Sequence, residues 1–237
     1  MAEAPLPPPL RTALRSLGYE AWMRRFPRAS AAAGLALLGA GGALSELGWP
    51  RSFAQRVPVD RDGAPLPWFT YPAIAVLGPR VDPTMRVFEY GAGNSTRWWA
   101  ARVAAVRSVE HDAGWADLLA PQLPSHARLH FAALDGADGG KGYVDGATIA
   151  AEADSALFDV VVIDGRERNR CVPAALAALS HRGVVIWDNS ERERYASGLA
   201  RVTDAGFRRL DLPGMGPVNS YGWCTTILYR DGNCLGL

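Results

Sequence analysis

The sequence predicts an α/β fold: a doubly wound, mostly parallel sheet of seven strands with an N-terminal helical cap and a C-terminal β-hairpin. Two observations support this prediction. From Met85 onward, short apolar runs alternate with helical stretches, which is typical of a parallel sheet covered by helices on both faces. Near the C-terminus, two further apolar runs flank a Pro/Gly-rich stretch, which indicates a hairpin.

The composition suits one main domain preceded by a short accessory segment. The chain has 237 residues, of which 49% are hydrophobic and 21% charged, which is enough to bury one large core. Most of the prolines precede residue 84. We therefore place a cap or lid over residues 1–84 and the main domain over residues 85–237.

Charge and cysteine content argue against several classes of protein. The formal net charge is +1 without long runs of one sign, so the electrostatic footprint of nucleic-acid binding is missing. A small-molecule partner is therefore favoured. The three cysteines form no CxxC pair, which argues against a disulfide framework or a cysteine-rich zinc site and favours a reducing, cytoplasmic location.

One Ala/Gly/Leu-rich segment, residues 29–44, carries almost no charge. It is too short and too rich in glycine for a spanning helix, which needs about 20 strongly apolar residues. It also begins too far into the chain for an ordinary secretory signal. We expect a small-residue helix packed on the core, with membrane association as the alternative.

The elements of the main domain follow from hydrophobic periodicity. Buried runs predict strands at Arg86–Tyr90, Ala105–Glu110, 128–132, 159–164 and 183–188, and the hairpin at 208–212 and 225–229. Apolar residues recur at helical spacing in two stretches, at Val172, Ala175, Leu176 and Leu179 and at Tyr195, Leu199 and Val202. These faces are expected to pack on the sheet.

A glycine-rich loop follows the first strand. Residues 87–90 lead directly into Gly91-Ala92-Gly93, and Asn94-Ser95-Thr96 then opens a helix. Glycine lets a backbone turn sharply and approach a ligand, and free N–H groups at a helix start attract anions. Alone, such a loop is weak support for a ligand site, because an ordinary strand-to-helix turn uses the same residues.

A second acid strengthens the case for a cofactor. Glu110 ends the next strand, 21 residues after Glu89, where a doubly wound fold places a carboxylate against a ribose diol. A dinucleotide site is the competing interpretation, but it would want a third glycine where this chain has Thr96. NAD is therefore disfavoured.

Three segments, residues 89–96, 108–112 and 158–165, resemble successive motifs of class I S-adenosylmethionine-dependent methyltransferases. The resemblance covers roughly residue 85 to the C-terminus. It implies a Rossmann-like sheet, S-adenosyl-L-methionine as the cofactor and methyl transfer as the activity. It does not specify a substrate.

The resemblance also implies roles for individual residues. The glycine loop would hold the methionine end of the cofactor, with Ser95 and Thr96 near its carboxylate. Glu110 would bind the ribose hydroxyls, His111 would lie along the adenine and Asp135 would meet the adenine amine. Trp115 could cover the ring, although a core position suits it equally well. The full predicted cofactor set is Glu89, Gly91, Ala92, Gly93, Asn94, Ser95, Thr96, Glu110, His111, Trp115, Asp135, Asp164 and Tyr71.

Polar residues follow two strongly apolar strands, at Asp164-Gly165 and at Asp188-Asn189. Ligands of a doubly wound sheet bind beyond the carboxyl ends of its strands, so these side chains are expected at the reacting end. We predict Asp164, Asp188 and Asn189 as catalytic residues, with Asp164 as general base or orienter of the acceptor. Helix capping is the plainer alternative, above all for Asn189.

The same three side chains resemble the Mg²⁺ ligands of cation-dependent catechol-type O-methyltransferases, in which the metal lowers the pKa of a bound hydroxyl. The residues around Arg166-Glu167-Arg168-Asn169 depart from that family. No metal is therefore predicted, and Mg²⁺ at Asp164, Asp188 and Asn189 is kept as the alternative.

The predicted acceptor-binding residues are Trp68, Phe69 and Arg166. The stretch from Trp68 to Tyr71 could fold over the cofactor as a lid, and aromatic, partly polar walls suit a small organic molecule. Anchoring the cap to the sheet is the alternative for Trp68 and Phe69.

Three arginines, Arg166, Arg168 and Arg170, follow the strand that ends at Asp164. They could bind a carboxylate or phosphate of the acceptor, because guanidinium groups match both anions. The alternative is a solvated loop without a ligand.

The predicted function is S-adenosylmethionine-dependent methyl transfer to a hydroxyl, or an amine, of a small metabolite. An aminopropyl transferase would need acids to hold a polyamine, which the arginine-rich rim does not supply. A non-catalytic protein of the same fold is the alternative from another class. The expected partner is a small-molecule acceptor, with no nucleic acid and no membrane, and a homodimer is left open.

Overall fold

The computed structural model describes residues 27–237, with side chains from residue 31 onward. The first part of the predicted cap, residues 1–26, lies outside this range. The described part of the cap consists of four short helices, α1 (Pro27–Leu38), α2 (Ala43–Glu46), α3 (Trp49–Gln55) and α4 (Tyr71–Leu77).

The cap helix α1 does not pack as expected. Its leucines are exposed to solvent, with Leu35 71% accessible, so the prediction of a small-residue helix packed on the core is wrong with respect to the described residues. Within residues 27–237 no single helix is long and apolar enough to cross a membrane. One bent pair, Ala31–Glu46 with Trp49–Gln55, meets the length and composition criteria jointly, with 90° between its members.

Seven strands form one mixed sheet, as predicted. They are β1 (Arg86–Tyr90), β2 (Ala105–Glu110), β3 (Ala127–Phe131), β4 (Phe158–Ile163), β5 (Leu179–Asp188), β6 (Arg208–Gly214) and β7 (Trp223–Tyr229). Their order is β3-β2-β1-β4-β5-β7-β6. The five neighbouring strands β3, β2, β1, β4 and β5 pair in parallel, and β7 runs antiparallel to both of its neighbours, β5 and β6.

Helices cover both faces of this sheet. Those that connect the strands are α5 (Asn94–Ala100), α6 (Ala113–Leu119), α7 (Lys141–Val144), α8 (Gly146–Asp154), α9 (Arg168–Ala177) and α10 (Ala196–Asp204). Because side chains alternate along a strand, β1 serves two cores: Val87 packs with Trp99, and Phe88 packs with Phe158. Both faces are therefore apolar, as a doubly wound sheet requires.

β5 is longer than predicted at its N-terminal end. The strand begins at Leu179, four residues before the predicted start. The polar residues Ser180, His181 and Arg182 are part of the extended backbone, but they interrupt the apolar run on which the prediction was based. Leu179 pairs with Phe158 of β4 and does not extend the helical repeat of α9, which ends at Ala177. The spacing of apolar residues had placed Leu179 on the helix, and this prediction is wrong.

The strand order reverses beside β1, and this reversal positions the site. β2 and β3 lie on one side of β1, whereas β4 and β5 lie on the other. The segments that follow β1 and β4 at their carboxyl ends therefore turn to opposite faces of the sheet and leave a crevice between them. Tyr90 pairs with Ile163, and Ile163 pairs with Trp187, so the residues that follow these three strands meet at one edge.

Candidate cofactor and active site

A cavity of about 430 Å³ opens at this edge of the sheet. Residues from both sides of the crevice line it, together with part of the cap. The sequence-predicted residues among them are Trp68, Gly91, Ala92, Gly93, Asn94, Ser95, Glu110, His111, Trp115, Asp164 and Arg166. The structure thus gathers most of the predicted cofactor set around one space.

Two glycines allow the loops after β1 and β4 to touch. Gly91 has φ +88°, and a Cβ there would lie 3.0 Å from the Cα of Gly165. A side chain at Gly165 would overlap the hydroxyl group of Tyr143, which accepts a hydrogen bond from the Arg166 N–H at 3.0 Å. Only glycine combines this conformation with such close approach, so the backbone itself forms the floor of the cavity.

Glu110 is held by three backbone N–H groups. Its Oε1 accepts from His111 at 2.7 Å and from Asp112 at 2.9 Å, and its Oε2 accepts from Ala92 at 3.1 Å. A carboxylate offers about four acceptor positions, so one stays free on Oε2 for a ligand in the cavity. The bond to Ala92 also fixes the glycine loop to the end of β2.

Trp115 lies over the same loop and is not a core residue. Its indole Nε1–H donates to the Ala92 carbonyl at 2.7 Å, and 47% of the side chain is accessible. Asp112 caps α6 by accepting from the backbone N–H of Trp115 at 2.8 Å. His111 completes this wall, with Nδ1 2.6 Å from Glu110 Oε1.

Glu89 and Thr96 are buried below the loop and do not line the cavity. The Thr96 Oγ1 accepts a hydrogen bond from the Gly93 N–H at 3.0 Å, which gives a structural reason for threonine where a dinucleotide motif has glycine. Burial raises the pKa of Glu89 to about 8, against the opposing effect of the Thr96 and Ser95 hydroxyls. No described residue donates to Glu89 Oε2.

Arg168 ties the carboxyl ends of β4 and β5 together. Its Nη2 donates to Asp164 Oδ1 at 2.9 Å and to the Asp164 carbonyl at 2.8 Å, and its Nε donates to the Gly165 carbonyl at 2.9 Å. Its Nη1 donates to the Asp188 carbonyl. Because these bonds occupy the buried guanidinium group, Arg168 holds the site together and is not the anion-binding residue the sequence suggested.

The two predicted catalytic acids differ in environment. Burial raises the pKa of Asp164, while the Arg168 guanidinium acts to lower it. The pKa of Asp188 is raised well above its ordinary value by burial and by the negative charge of Asp164. Asp188 Oδ1 accepts from Trp223 Nε1 at 2.9 Å and from Thr225 Oγ1 at 2.6 Å.

A second cavity of about 330 Å³ adjoins the first. Three residues, Trp68, Asp164 and Arg192, line both. The remaining wall of the second cavity consists of polar and aromatic side chains, namely Asp188, Asn189, Asn219, Tyr221 and Trp223. Asp188 and Asn189 therefore lie beside this second space and not in the cofactor cavity.

The structure removes Phe69 from the predicted site. Phe69 is fully buried in the core cluster that contains Trp99, so it packs the sheet and meets no ligand. The neighbouring Thr70 is fixed by hydrogen bonds to Thr225 at 3.0 Å and to the Leu212 carbonyl at 2.7 Å. Thr70 thus anchors this stretch to the hairpin, whereas Trp68 lines both cavities, and the lid stays a prediction.

Besides Glu89 and Thr96, two further predicted cofactor residues lie outside both cavities. Tyr71 is buried, and no described residue bonds its hydroxyl group. Asp135 is exposed in the loop after β3. The acid that shapes this loop is Asp138, which accepts from the Gly140 N–H at 3.0 Å and from the Gly142 N–H at 2.8 Å.

Several cavity residues were missed from the sequence: Arg56, Val57, Pro58, Arg192, Arg194 and Tyr195. The last three follow the end of β5, where the rule about carboxyl ends could have found them. The first three come from the cap. They are held against the glycine loop by a hydrogen bond from Asn94 Nδ2 to the Pro58 carbonyl at 2.8 Å, which no local pattern encodes.

The donor set does not fit the Mg²⁺ alternative. Asp164 is paired with Arg168, whose positive charge opposes a neighbouring cation, and Asp188 Oδ1 already accepts two hydrogen bonds. Within residues 27–237 no group of three or more His, Cys, Asp or Glu side chains is placed to hold a metal ion.

The chain was compared with known proteins. No protein-family model matches it, and no curated protein matches it by sequence. Among solved structures, it is similar to the O-methyltransferase TomG from Streptomyces achromogenes, involved in tomaymycin synthesis and solved with S-adenosylmethionine, at 18% identity and a TM-score of 0.50 over 67% of this chain and 78% of that one.

Two other solved structures resemble it less in shape. Precorrin-6Y C5,15-methyltransferase from Geobacter metallireducens has 13% identity and a TM-score of 0.49, over 67% of this chain and 87% of that one. A methyltransferase-like protein from Silicibacter pomeroyi has 19% identity and a TM-score of 0.45, over 70% of this chain and 89% of that one. Together, the likeness to TomG and the strand order show the fold of class I S-adenosylmethionine-dependent methyltransferases, as predicted.

Proposed function

We propose that this chain is an S-adenosylmethionine-dependent methyltransferase that acts on a hydroxyl or an amine of a small metabolite. The observation that carries the proposal is the pairing of Glu110 with the Gly91–Gly93 backbone across one cavity. The volume of about 430 Å³ lies in the range of small-molecule sites. When bound, the cofactor supplies an electrophilic methyl group on a sulfonium.

The residues of the cavity fit this cofactor from one end to the other. Glu110 keeps an acceptor position for the ribose hydroxyls, and Trp115 and His111 offer flat surfaces for the adenine. At the other end, Arg56 and Asn94 line the same cavity, and Arg56 would bind the carboxylate of the methionine part.

Asp164 is the side chain best placed to act on the acceptor. It lines both cavities, so it lies between the cofactor space and the second space, where the acceptor would bind. The neighbouring Arg168 favours its ionised form, and the raised pKa caused by burial makes it a stronger base than an exposed aspartate. Asp164 would orient the nucleophile and accept its proton, while burial and the negative charge of Asp164 raise the pKa of Asp188 and so favour its neutral form.

The electrostatics of the cavity support methyl transfer over aminopropyl transfer. A polyamine acceptor would need carboxylates, whereas five arginines line this cavity. A cytoplasmic location is part of the proposal, and it is supported by the three free cysteines, Cys171, Cys224 and Cys234.

Calorimetry with S-adenosylhomocysteine tests the cofactor assignment. The wild-type chain should bind it, and Glu110→Ala should weaken binding by about 10- to 100-fold, because hydrogen bonds to a charged group contribute about 1.5–3 kcal/mol. Asp117→Ala is the matched control, since Asp117 is an exposed acid on α6 outside the cavity, and its affinity should stay within about twofold. Absence of binding by the wild-type chain would remove the methyltransferase proposal.

A further inference from the structure

The cofactor cavity carries a marked excess of positive charge. Five arginines line it against two carboxylates, those of Glu110 and Asp164. The chain as a whole has a net charge of only +1, so this excess is local. Like charges gathered in a concave, partly desolvated space repel one another, and an anionic ligand relieves that repulsion.

Two of the five arginines have other roles. Arg168 is buried, and its guanidinium group is occupied by four bonds to the ends of β4 and β5. Arg56 lies beside the glycine loop, next to the expected carboxylate of the cofactor. Arg166, Arg192 and Arg194 are left, and we call these three the mouth arginines.

The mouth arginines have no hydrogen-bonded carboxylate partner in residues 31–237. For Arg192, the nearest carboxylate is Glu191, whose Oε1 lies 3.7 Å from Nε, beyond hydrogen-bond distance. Glu191 Oε2 is occupied by the Cys224 N–H at 2.9 Å. The guanidinium of Arg194 lies 4.9 Å from the centre of the Tyr195 ring, which holds it in place without neutralising its charge.

The proposed cofactor does not remove this excess. S-adenosylmethionine has a sulfonium, an ammonium and one carboxylate group, so it adds positive charge to the cavity. The missing negative charge must therefore come from the second ligand, the acceptor. The two carboxylates of the wall offset only part of it, Asp164 through its pair with Arg168 and Glu110 by its own negative charge, so the arginines stay in excess.

Arg192 links the charge to the place where the acceptor would react. It lines both cavities together with Asp164 and Trp68, and it is close enough to Asp164 to lower the pKa of that carboxyl group. An anionic group held by Arg192 would place the rest of the molecule in the second cavity, beside the aromatic side chains of Tyr221 and Trp223 and next to Asp164.

Resting on the proposed methyl transfer, we propose that the acceptor is a small anion whose carboxylate or phosphate group binds the mouth arginines Arg166, Arg192 and Arg194. The planar guanidinium fork binds either group through two parallel hydrogen bonds. The aromatic walls of the second cavity favour an acceptor with a flat ring beside the anionic group.

Calorimetric titration with two probes, benzoate and inorganic phosphate, tests this proposal. Each probe is titrated into the chain with and without S-adenosylhomocysteine. The wild type should bind at least one probe, and the double variant Arg192→Gln/Arg194→Gln should bind it at least about tenfold more weakly. Tighter binding of benzoate identifies a carboxylate, and tighter binding of phosphate identifies a phosphoryl group.

Arg201→Gln is the matched control, because Arg201 is an exposed arginine on α10 that lines neither cavity. Its probe affinity should stay within about twofold of wild type. The mouth arginines are exposed, so thermal denaturation should show that the variants are folded. The single variant Arg192→Gln provides a second measurement of probe affinity.

The proposal is overturned if the wild type binds neither probe, or if the double variant binds the probes as well as the wild type does. The affinity of the wild type for S-adenosylhomocysteine shows whether the anion proposal alone has failed or whether the proposed function has failed as well. Loss of cofactor binding in the wild type contradicts methyl transfer, whereas the titrations without S-adenosylhomocysteine still report on the mouth arginines.

Discussion

Glu89 is an acid enclosed by the protein at the end of β1. Its side chain is 1% accessible, Oε2 has no described donor, and burial raises its pKa to about 8. An acid whose pKa is raised by folding contributes stability that is present below its unfolded value of about 4.5 and lost as the pH rises through about 8. Glu89 therefore makes the folded state less stable toward alkaline pH.

Glu89→Gln should remove this dependence. The amide has the same shape and no charge, so the variant should gain stability relative to wild type between pH 5 and pH 8, on the order of 3 kcal/mol. Urea unfolding at several pH values measures the difference. Glu152→Gln, at an exposed position of α8, should follow the wild type throughout. A difference in unfolding free energy between Glu89→Gln and wild type that stays constant from pH 5 to pH 8 would show that Glu89 is ionised in the folded state.

Asp164→Asn should separate binding from chemistry. The amide oxygen can still accept from Arg168, so S-adenosylhomocysteine affinity should stay within about twofold. Transfer of a tritiated methyl group to a pool of small metabolites should fall by about 10²- to 10⁴-fold, the usual contribution of a general base. Asp117→Asn should keep the wild-type rate. An unchanged rate in Asp164→Asn would assign the proton transfer to another group.

At the residue scale, the sequence was informative where side-chain chemistry follows from local position. The residues from Gly91 to Ser95 and Glu110 could be predicted because strand ends and glycine turns place them at the crevice. Phe69 and Asp135 could not, because an aromatic side chain suits a core as well as a ligand, and an acid in a loop suits solvent. Arg56 was missed because a contact distant in sequence brings the cap to the glycine loop.

At the scale of elements, β4 and β5 end side by side, and the start of α9 joins them through Arg168. The carbonyls in this junction belong to Asp164 and Gly165, which follow β4, and to Asp188, the last residue of β5. The guanidinium of Arg168 donates to all three carbonyls and also balances the charge of Asp164.

Arg168→Gln should therefore destabilise the chain by about 3–5 kcal/mol, because loss of the buried guanidinium leaves the Asp164 carboxylate and three carbonyl groups without this donor. Arg170→Gln, on the same helix, is the comparison. Arg170 is exposed and pairs with Glu167 at 3.3 Å, so its loss should cost less than about 1 kcal/mol. Urea unfolding of both variants gives the two values. Equal effects would mean that Arg168 does not hold the strand ends together.

Most strands were predictable because a buried parallel strand is a continuous apolar run. Arg86–Tyr90 and Ala105–Glu110 agree with the structure at both ends. The start of β5 was not predictable, since Ser180, His181 and Arg182 are polar and part of an extended strand. Packing of α1 was not predictable either, because Ala and Leu favour a helix whether or not it packs on a core.

At the scale of the whole molecule, the cavity collects residues from the cap, from both halves of the sheet and from the segment after β5. A ligand in this space contacts parts of the chain that are far apart in sequence. Its binding energy therefore opposes global unfolding, because the unfolded chain cannot assemble these contacts.

S-adenosylhomocysteine at 100 times its dissociation constant should stabilise the fold by about 2.7 kcal/mol. For a chain of this size, that corresponds to a rise in Tm of about 5–10 °C. Differential scanning calorimetry measures the rise, and Glu110→Ala at the same ligand concentration should show about half of it or less. An equal rise in both proteins would mean that the ligand binds elsewhere.

The half-exposed tryptophans of the cavity also allow ligand binding to be followed by fluorescence. Of the eight tryptophans in the chain, Trp115 and Trp68 line the cavity and are 47% and 41% accessible, whereas Trp98, Trp99, Trp187 and Trp223 are buried. Their indoles should emit at longer wavelengths than the buried ones because water relaxes around them. A ligand against Trp115 displaces that water, so a blue shift or quenching of this emission reports occupancy without a label.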